Sequence, residues 1–310
     1  MYKESRLSRS EFVPIRGLDY HLLRWGDAPA ASALPPLVLV HGWMDVGASW
    51  QFMVDALSEA FMQGRTVIAP DWRGFGMTST GQPGQTPDSY WFVDYLADLD
   101  FLLDHLAPGQ AVDLVGHSMG GNVAMLYAGV RPQRIRRLVN LEGFGLPASK
   151  PEKAATSYAK WMDELKSLHR GELALKDYDS VDGVAQRLIK TNPRLSADKA
   201  DWLAARWARP DASGRWKILG DAAHKVTSAH LYRLEEVLAI FKRISAPTLA
   251  IEASDDSLKA WLKGAYTLEQ YHERLQNLPQ VEIAVVHDAG HMLHHDQPEQ
   301  LARLVENFLA

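Results

Sequence analysis

The ten residues 112–121, VDLVGHSMGG, constrain the fold more than any other stretch of this chain. An apolar run leads into a serine flanked by glycines, and helix-forming residues follow directly. This order predicts a strand, a sharp turn and a helix, with Ser118 at the tip of the turn. The pattern Gly116-x-Ser118-x-Gly120 is that of a nucleophile elbow, in which glycines make room for a strained backbone. The helix that follows would direct free N–H groups toward a developing oxyanion.

Strand-like and helix-like segments alternate over most of the chain. Residues 37–40 are a continuous apolar run, which is typical of a strand buried on both faces of a sheet, and residues 138–141 are predicted to be another buried strand. The alternation predicts a mostly parallel α/β sheet with helices on both faces. It is interrupted by a long segment of helical and polar runs. We therefore predict a core formed by residues 1–145 and 246–310, with residues 146–245 inserted as a helical cap.

The composition excludes several functional classes. A length of 310 residues suits one large domain with an insertion, and a net charge of −5 gives no reason to expect nucleic-acid binding. The absence of cysteine excludes disulfides, thiolate metal sites and a cysteine nucleophile. The first residues lack the apolar region of a signal peptide, and no apolar run approaches the ~20 residues that span a bilayer. We expect a cytoplasmic protein without a membrane span; its oligomeric state is open.

A serine hydroxyl is a poor nucleophile until a base takes its proton, so a histidine must reach Ser118. Among twelve histidines we select His291, which lies on a loop between a predicted strand and the last helix. The carboxyl ends of parallel strands share one edge of a sheet, so this loop can face the elbow. His294 and His295 follow closely, but no carboxylate stands in a recognisable metal-binding pattern with them. We therefore expect no metal and no cofactor.

The histidine in turn needs a carboxylate that fixes its tautomer and stabilises the imidazolium. Asp255 and Asp256 follow one predicted strand, and Glu142 follows another. The chain order serine, acid, histidine favours the aspartate pair. Within the pair we prefer Asp256 over Asp255, which can serve as a turn residue, and we rank Glu142 third.

An oxyanion hole requires two backbone N–H donors. One comes from the residue after the nucleophile and the other from the loop after the third strand. Met119 and Trp43 occupy these positions, and Gly42 lets the backbone turn before Trp43.

Together these motifs resemble the α/β-hydrolase-fold serine hydrolases that carry a helical cap. The resemblance covers the chain outside the cap and rests on five segments: HGW at 41–43, DWRGFG at 71–76, GHSMGG at 116–121, PTL at 247–249 with the acidic pair, and GH at 290–291. It implies the α/β-hydrolase fold and acyl transfer to water, with Ser118 as nucleophile, His291 as base and then acid, and Asp256 as the orienting acid. One position departs from the family pattern, since Ala253 replaces a glycine upstream of the acid.

The resemblance implies a small-molecule carboxylic ester as substrate, and the cap would choose among esters. Its tryptophans suggest an apolar or aromatic group, although they can equally form the core of the cap. Its arginines can bind a substrate carboxylate, as in the C–C bond hydrolases of this fold that cleave vinylogous diketones. This C–C hydrolase activity is our alternative. A non-catalytic small-molecule-binding protein on the same fold is a less favoured third hypothesis.

Overall fold

The structure is a computed structural model that describes residues 2–26, 34–80 and 87–310. The strands in these ranges, in chain order, are β1 (Arg9–Ile15), β2 (Leu18–Trp25), β3 (Leu37–Val40), β4 (Val67–Pro70), β5 (Val112–His117), β6 (Ile135–Leu141), β7 (Asp177–Tyr178), β8 (Ala208–Pro210), β9 (Trp216–Ile218), β10 (Thr248–Ala253) and β11 (Val281–Val286). The α-helices are α1 (Gln51–Ala56), α2 (Glu59–Met62), α3 (Phe92–Leu106), α4 (Met119–Val130), α5 (Ala154–His169), α6 (Val181–Thr191), α7 (Ala197–Trp207), α8 (Leu234–Phe241), α9 (Ser257–Leu262), α10 (Leu268–Leu275), α11 (Leu293–Asp296) and α12 (Pro298–Leu309).

The main sheet has eight strands within the described ranges, in the order β1-β2-β4-β3-β5-β6-β10-β11. The pairs β1–β2 and β2–β4 are antiparallel, and the strands from β4 to β11 pair in parallel. The mostly parallel sheet predicted from the sequence is therefore confirmed. Because β3, β5, β6, β10 and β11 run the same way, the loops that follow them leave from one edge of the sheet. This edge carries the candidate site.

Helices cover both faces of this sheet. Neighbouring residues of β5 point to opposite faces: Leu114 packs in the hydrophobic cluster that includes Leu99 of α3, and Val115 packs in the cluster that includes Val305 of α12. The side chains of Leu114 and Val115 are both fully buried. Burial on both faces also explains why β3, with the sequence LVLV, is a continuous apolar run rather than an alternating one.

The cap lies between β6 and β10, where the sequence predicts an insertion. Helices α5 to α8 make up most of it, but the short strands β7, β9 and β8 form a second, antiparallel sheet. The prediction of a purely helical cap is therefore incomplete, because strands of two or three residues are too short to show a period-two pattern. The boundaries at 145/146 and 245/246 stay a prediction.

The cap packs on the core through an apolar cluster of its own. Trp202 and Trp207 of α7 are buried there with Phe52 of α1, so two of the cap tryptophans serve packing. Across the described ranges, no helix has both the length and the apolar character required to cross a bilayer.

Candidate active site

Ser118 occupies a strained turn between β5 and α4. Its backbone has φ 53° and ψ −116°, a conformation that side-chain-bearing residues rarely adopt. A Cβ atom on Gly116 would lie 2.4 Å from the carbonyl oxygen of Gly120, and one on Gly120 would lie 2.3 Å from that of Val40. Both positions therefore require glycine, since real Cβ atoms do not approach backbone this closely. The glycine spacing in the sequence predicts this strained turn, and the close approach of the backbone at Gly116 and Gly120 is the physical reason.

A cavity of about 560 Å³ opens above this turn, between the sheet edge and the cap. Its wall includes Ser118 and His291, which lie far apart in the sequence. The side chain of His117, next to Ser118, also joins the two loops, because its Nε2 lies 2.8 Å from the carbonyl oxygen of His291. The structure thus brings the predicted nucleophile and the predicted base to one pocket. Pockets of this size and lining are typical of small-molecule sites.

The carboxylate that contacts the imidazole belongs to Glu142. Its Oε2 lies 3.1 Å from His291 Nδ1, and its Oε1 accepts a hydrogen bond of 2.8 Å from the backbone N–H of Ala253. Ser257 also hydrogen-bonds to this carboxyl group. The Glu142 side chain is 1% exposed and that of His291 is 18% exposed. A carboxylate held in this way can orient the ring and keep the proton on Nδ1.

The preferred acid, Asp256, has a different role in the structure. It is exposed and lies at the N-cap of α9, where its Oδ1 accepts a hydrogen bond of 2.8 Å from the backbone N–H of Lys259. Asp255 pairs with Arg194 of the cap, with Oδ2 2.7 Å from Nη1. The preference for Asp256 over Glu142 therefore does not match the observed contacts. The cause is local, since the chain after β10 turns at once into a helix that engages Asp256 as its cap.

Burial controls the protonation of the Glu142–His291 pair. It raises the pKa of Glu142 to about 7, although hydrogen bonds from Ala253 and Ser257 act in the opposite direction. It lowers the pKa of His291 to about 3. The imidazole is therefore neutral around neutral pH, which is the form that can accept a proton from a hydroxyl.

The predicted oxyanion donors lie beside the elbow. A Cβ atom on Gly42 would be 3.2 Å from the Cβ of Ser118, so the backbone that leads into Trp43 passes directly against the serine. Met119 is the first residue of α4, where an N–H group has no acceptor within its own helix. Trp43 also lines the cavity with a half-exposed side chain. Their roles as donors stay a prediction.

The cap contributes polar groups to the same cavity that the sequence could not assign. Arg187 of α6 lines the cavity, and within the described ranges its guanidinium forms no hydrogen bond or ion pair. Arg194 also lines it but is neutralised by Asp255. Trp261 of α9 packs edge-on against the His291 ring, with centroids 4.0 Å apart.

A second group of buried polar side chains lies behind the elbow. Asp45, His117 and His294 offer ligand atoms within 4.8 Å of one another. The sequence singled out His294 without a third partner. Asp45, on the loop after β3, is the carboxylate that lies beside His294. No local sequence pattern predicts this proximity.

The sequence and structure are similar to those of known hydrolases. The sequence model of the alpha/beta hydrolase fold family matches residues 35–298. The sn-1-specific diacylglycerol lipase of Mus musculus is 29% identical over 99% of this chain and 90% of its own length. The 2-hydroxymuconate semialdehyde hydrolase of Pseudomonas putida is 28% identical over 89% of this chain and 87% of its own. Among solved structures, the thioesterase domain from the curacin biosynthetic pathway has a TM-score of 0.79 at 26% identity, covering 97% of this chain and 99% of that domain.

Proposed function

This chain belongs to the α/β-hydrolase fold family, and we propose that it is a serine hydrolase that cleaves carboxylic esters through an acyl-enzyme. Its relatives are named as hydrolases and lipases, so it is an enzyme of the hydrolase class. The finer proposal concerns the mechanism and the substrate. It assigns Ser118 as nucleophile, His291 as base and acid, and Glu142 as the orienting carboxylate.

The proposed reaction has two halves. Ser118 Oγ attacks the ester carbonyl carbon while His291 Nε2 takes the hydroxyl proton, and the carbonyl oxygen becomes an oxyanion facing the N–H groups of Trp43 and Met119. The C–O bond to the alcohol then breaks, and His291 returns the proton to that alcohol. Water, deprotonated by the same imidazole, attacks the acyl-enzyme and releases the acid. Glu142 keeps the proton on Nδ1, so that Nε2 has a free lone pair.

The observation that carries this proposal is the contact of 3.1 Å between His291 Nδ1 and Glu142 Oε2, beside a serine held at φ 53° in the same cavity. This contact supports the proposed roles, because Ser118, His291 and Glu142 come from three loops at one sheet edge. Within the described ranges, Ser118 Oγ makes no hydrogen bond to the imidazole. The hydroxyl therefore has to turn toward Nε2 when substrate binds, as catalytic hydrogen bonds often tighten only in the complex.

The proposal is tested with p-nitrophenyl butyrate and a fluorophosphonate. We expect hydrolysis by the wild-type protein, its loss in Ser118→Ala, and a single phosphonate adduct on Ser118. Ser228→Ala is a matched control, because Ser228 is exposed and its hydroxyl accepts a local hydrogen bond from the backbone N–H of His230. An adduct on another residue, or hydrolysis retained in Ser118→Ala, would contradict the assignment. A protein that binds esters without turning them over would instead support the non-catalytic hypothesis.

A second candidate is the hydrolysis of C–C bonds in acid-bearing vinylogous diketones. The half-buried guanidinium of Arg187 in the cavity favours it, because within the described ranges this cation has no carboxylate partner and so suits a substrate carboxylate. A relative at 28% identity is named as a semialdehyde hydrolase. Here Arg187→Gln should raise KM for an acidic substrate and leave KM for p-nitrophenyl butyrate unchanged. Equal effects on both substrates would remove the reason to prefer an acid.

A further inference from the structure

Three buried side chains converge directly behind the nucleophile. They are Asp45, which follows β3, His117, which ends β5, and His294 of α11; their exposed fractions are 3%, 2% and 0%. One ligand atom from each lies within 4.8 Å of the other two. None of these groups has a step in the reaction proposed above.

Within the described ranges, some polar atoms of this cluster have no hydrogen-bond partner. Asp45 Oδ1 accepts hydrogen bonds from the backbone N–H of Val46, the hydroxyl of Ser49 and the indole N–H of Trp207, whereas Asp45 Oδ2 accepts none there. His117 Nε2 faces the carbonyl oxygen of His291 and must donate to it. His117 Nδ1 is therefore the nitrogen with a lone pair, and it too lacks a partner there.

His294 completes the set. Within the same ranges neither ring nitrogen of His294 has a hydrogen-bond partner, and its Nε2 lies 4.0 Å from Asp45 Oδ2. Burial lowers the pKa of both imidazoles well below the usual range, so the rings are neutral. Buried polar groups are almost always satisfied, and an unpaired one is costly. Three such groups with ligand atoms within 4.8 Å of one another indicate a shared ligand.

The chemistry of the donors selects the kind of ligand. Two neutral imidazole nitrogens and one carboxylate oxygen are the set that divalent transition ions such as Zn²⁺ prefer, whereas Mg²⁺ and Ca²⁺ prefer oxygen ligands. Ligand bonds of about 2.0–2.2 Å would require the three side chains to draw slightly together. Asp45 and His117 also line the cavity, so an ion has a route from the substrate side.

We propose that Asp45, His117 and His294 form a binding site for a divalent transition cation, and that the bound cation inhibits the hydrolase. The inhibitory part rests on the proposed function. His117 also holds the loop of His291, and the two ring centroids are 4.6 Å apart. A dication on His117 would repel the imidazolium that forms when His291 accepts the proton of Ser118. Binding itself does not depend on catalysis.

Binding is measured on the full-length protein after treatment with a chelator, by titration with Zn²⁺ and by metal analysis after dialysis. We expect one Zn²⁺ per chain, with no competition from excess Mg²⁺. His294→Gln and His117→Asn should each weaken binding by about 100-fold or more, because each removes one ligand. Exposed His169→Gln is the matched control and should bind as the wild type does. Failure of the wild type to bind at micromolar Zn²⁺, or equal affinity in a folded ligand variant, would overturn the proposal.

Two further measurements separate binding from catalysis and from misfolding. Ser118→Ala should bind Zn²⁺ as the wild type does, even if the proposed hydrolysis proves wrong. Co²⁺ bound to the wild type should give paramagnetically shifted signals from two histidine rings, a reading that needs no variant. Shifted signals from no histidine would contradict the site. In the active enzyme, one equivalent of Zn²⁺ should lower kcat, and this inhibition should be absent from a folded His294→Gln.

Discussion

The loops after β6 and β10 leave adjacent strands at the same edge of the sheet, and both carry carboxylates. Glu142 of the first loop is 1% exposed and contacts the imidazole of His291. Asp256 of the second loop is exposed and caps a helix. The difference shows that a carboxylate in the expected place along the chain is not enough. Its neighbours decide whether it faces the histidine or satisfies its own backbone.

The loop after β10 still supports the site, but through its backbone. The N–H of Ala253 donates to Glu142 Oε1, so the strand that was expected to supply the acid holds the carboxylate that follows its neighbour β6. Chain order is thus a weaker constraint than the shared sheet edge. Substitutions at Glu142, Asp256 and Asp255 test whether the two loops divide the roles in this way.

The largest effect is expected from Glu142→Gln. Its amide N–H₂ would face Nδ1, leave the proton on Nε2 and so block acceptance from Ser118. We expect kcat for p-nitrophenyl butyrate to fall on the order of 10³–10⁴-fold, as when the acid of a comparable triad becomes an amide. Asp256→Asn is the matched control and should stay within about twofold of wild type. A near-normal kcat in Glu142→Gln together with loss of activity in Asp256→Asn would assign the orienting role to Asp256 instead of Glu142.

The second effect is a dependence of activity on pH. Because burial raises the pKa of Glu142 to about 7, the carboxyl is protonated below that pH and can no longer orient the imidazolium. We expect kcat to fall as the pH drops through about 7, approaching tenfold per unit at lower pH. Asp256→Asn should give the same profile. A profile that stays flat from pH 8 to pH 5 would show that Glu142 does not control the base.

The third effect concerns stability. The pKa of Glu142 is raised above its ordinary value of 4.5, so the folded protein binds more protons than the unfolded chain between pH 4.5 and about 7. The contribution of this group to the free energy of unfolding is therefore greatest below pH 4.5 and is lost as the pH rises to 7. Glu142→Gln removes the titration. Relative to wild type, its free energy of unfolding should rise by at most about 3 kcal/mol across that range in urea titrations. An unchanged difference would contradict the raised pKa.

The fourth effect comes from the helix cap. Asp256→Ala removes the acceptor for the N–H of Lys259, so the free energy of unfolding should fall by about 0.5–2 kcal/mol. Because Asp256 does not contact the imidazole, kcat should remain within about twofold of wild type. Urea unfolding and ester hydrolysis on the same preparation measure the two quantities. A loss of activity without a loss of stability would assign Asp256 to the chemistry after all.

The smallest effect is expected at Asp255. Its pair with Arg194 is largely exposed and contributes little to stability. Asp255→Asn removes one of the negative charges beside the Arg194 guanidinium at the cavity wall, although Asp288 stays 3.9 Å from it. We expect KM for an acidic ester to fall a few-fold while KM for a neutral ester is unchanged. Equal changes for both esters would argue against a role of this pair in selecting substrates.

The sequence predicts those parts of the molecule that depend on neighbours in the chain. The elbow at Ser118 follows from glycines within two residues of it, and β3 follows from its apolar run. The contact between His291 and Glu142 joins residues 149 positions apart. This contact depends on the directions in which two loops leave the sheet, and no local sequence pattern predicts those directions. The proximity of Asp45 to His117 and His294 cannot be predicted from the sequence for the same reason.

The most direct test of the central claim is the proton on His291 Nδ1. NMR spectra of protein with ¹⁵N-labelled histidine should contain a strongly downfield N–H resonance from this hydrogen bond. We predict that the signal is present in the wild type and in Asp256→Asn, and absent from Glu142→Gln and from His291→Gln. A signal that survives in Glu142→Gln and disappears in Asp256→Asn would contradict the account.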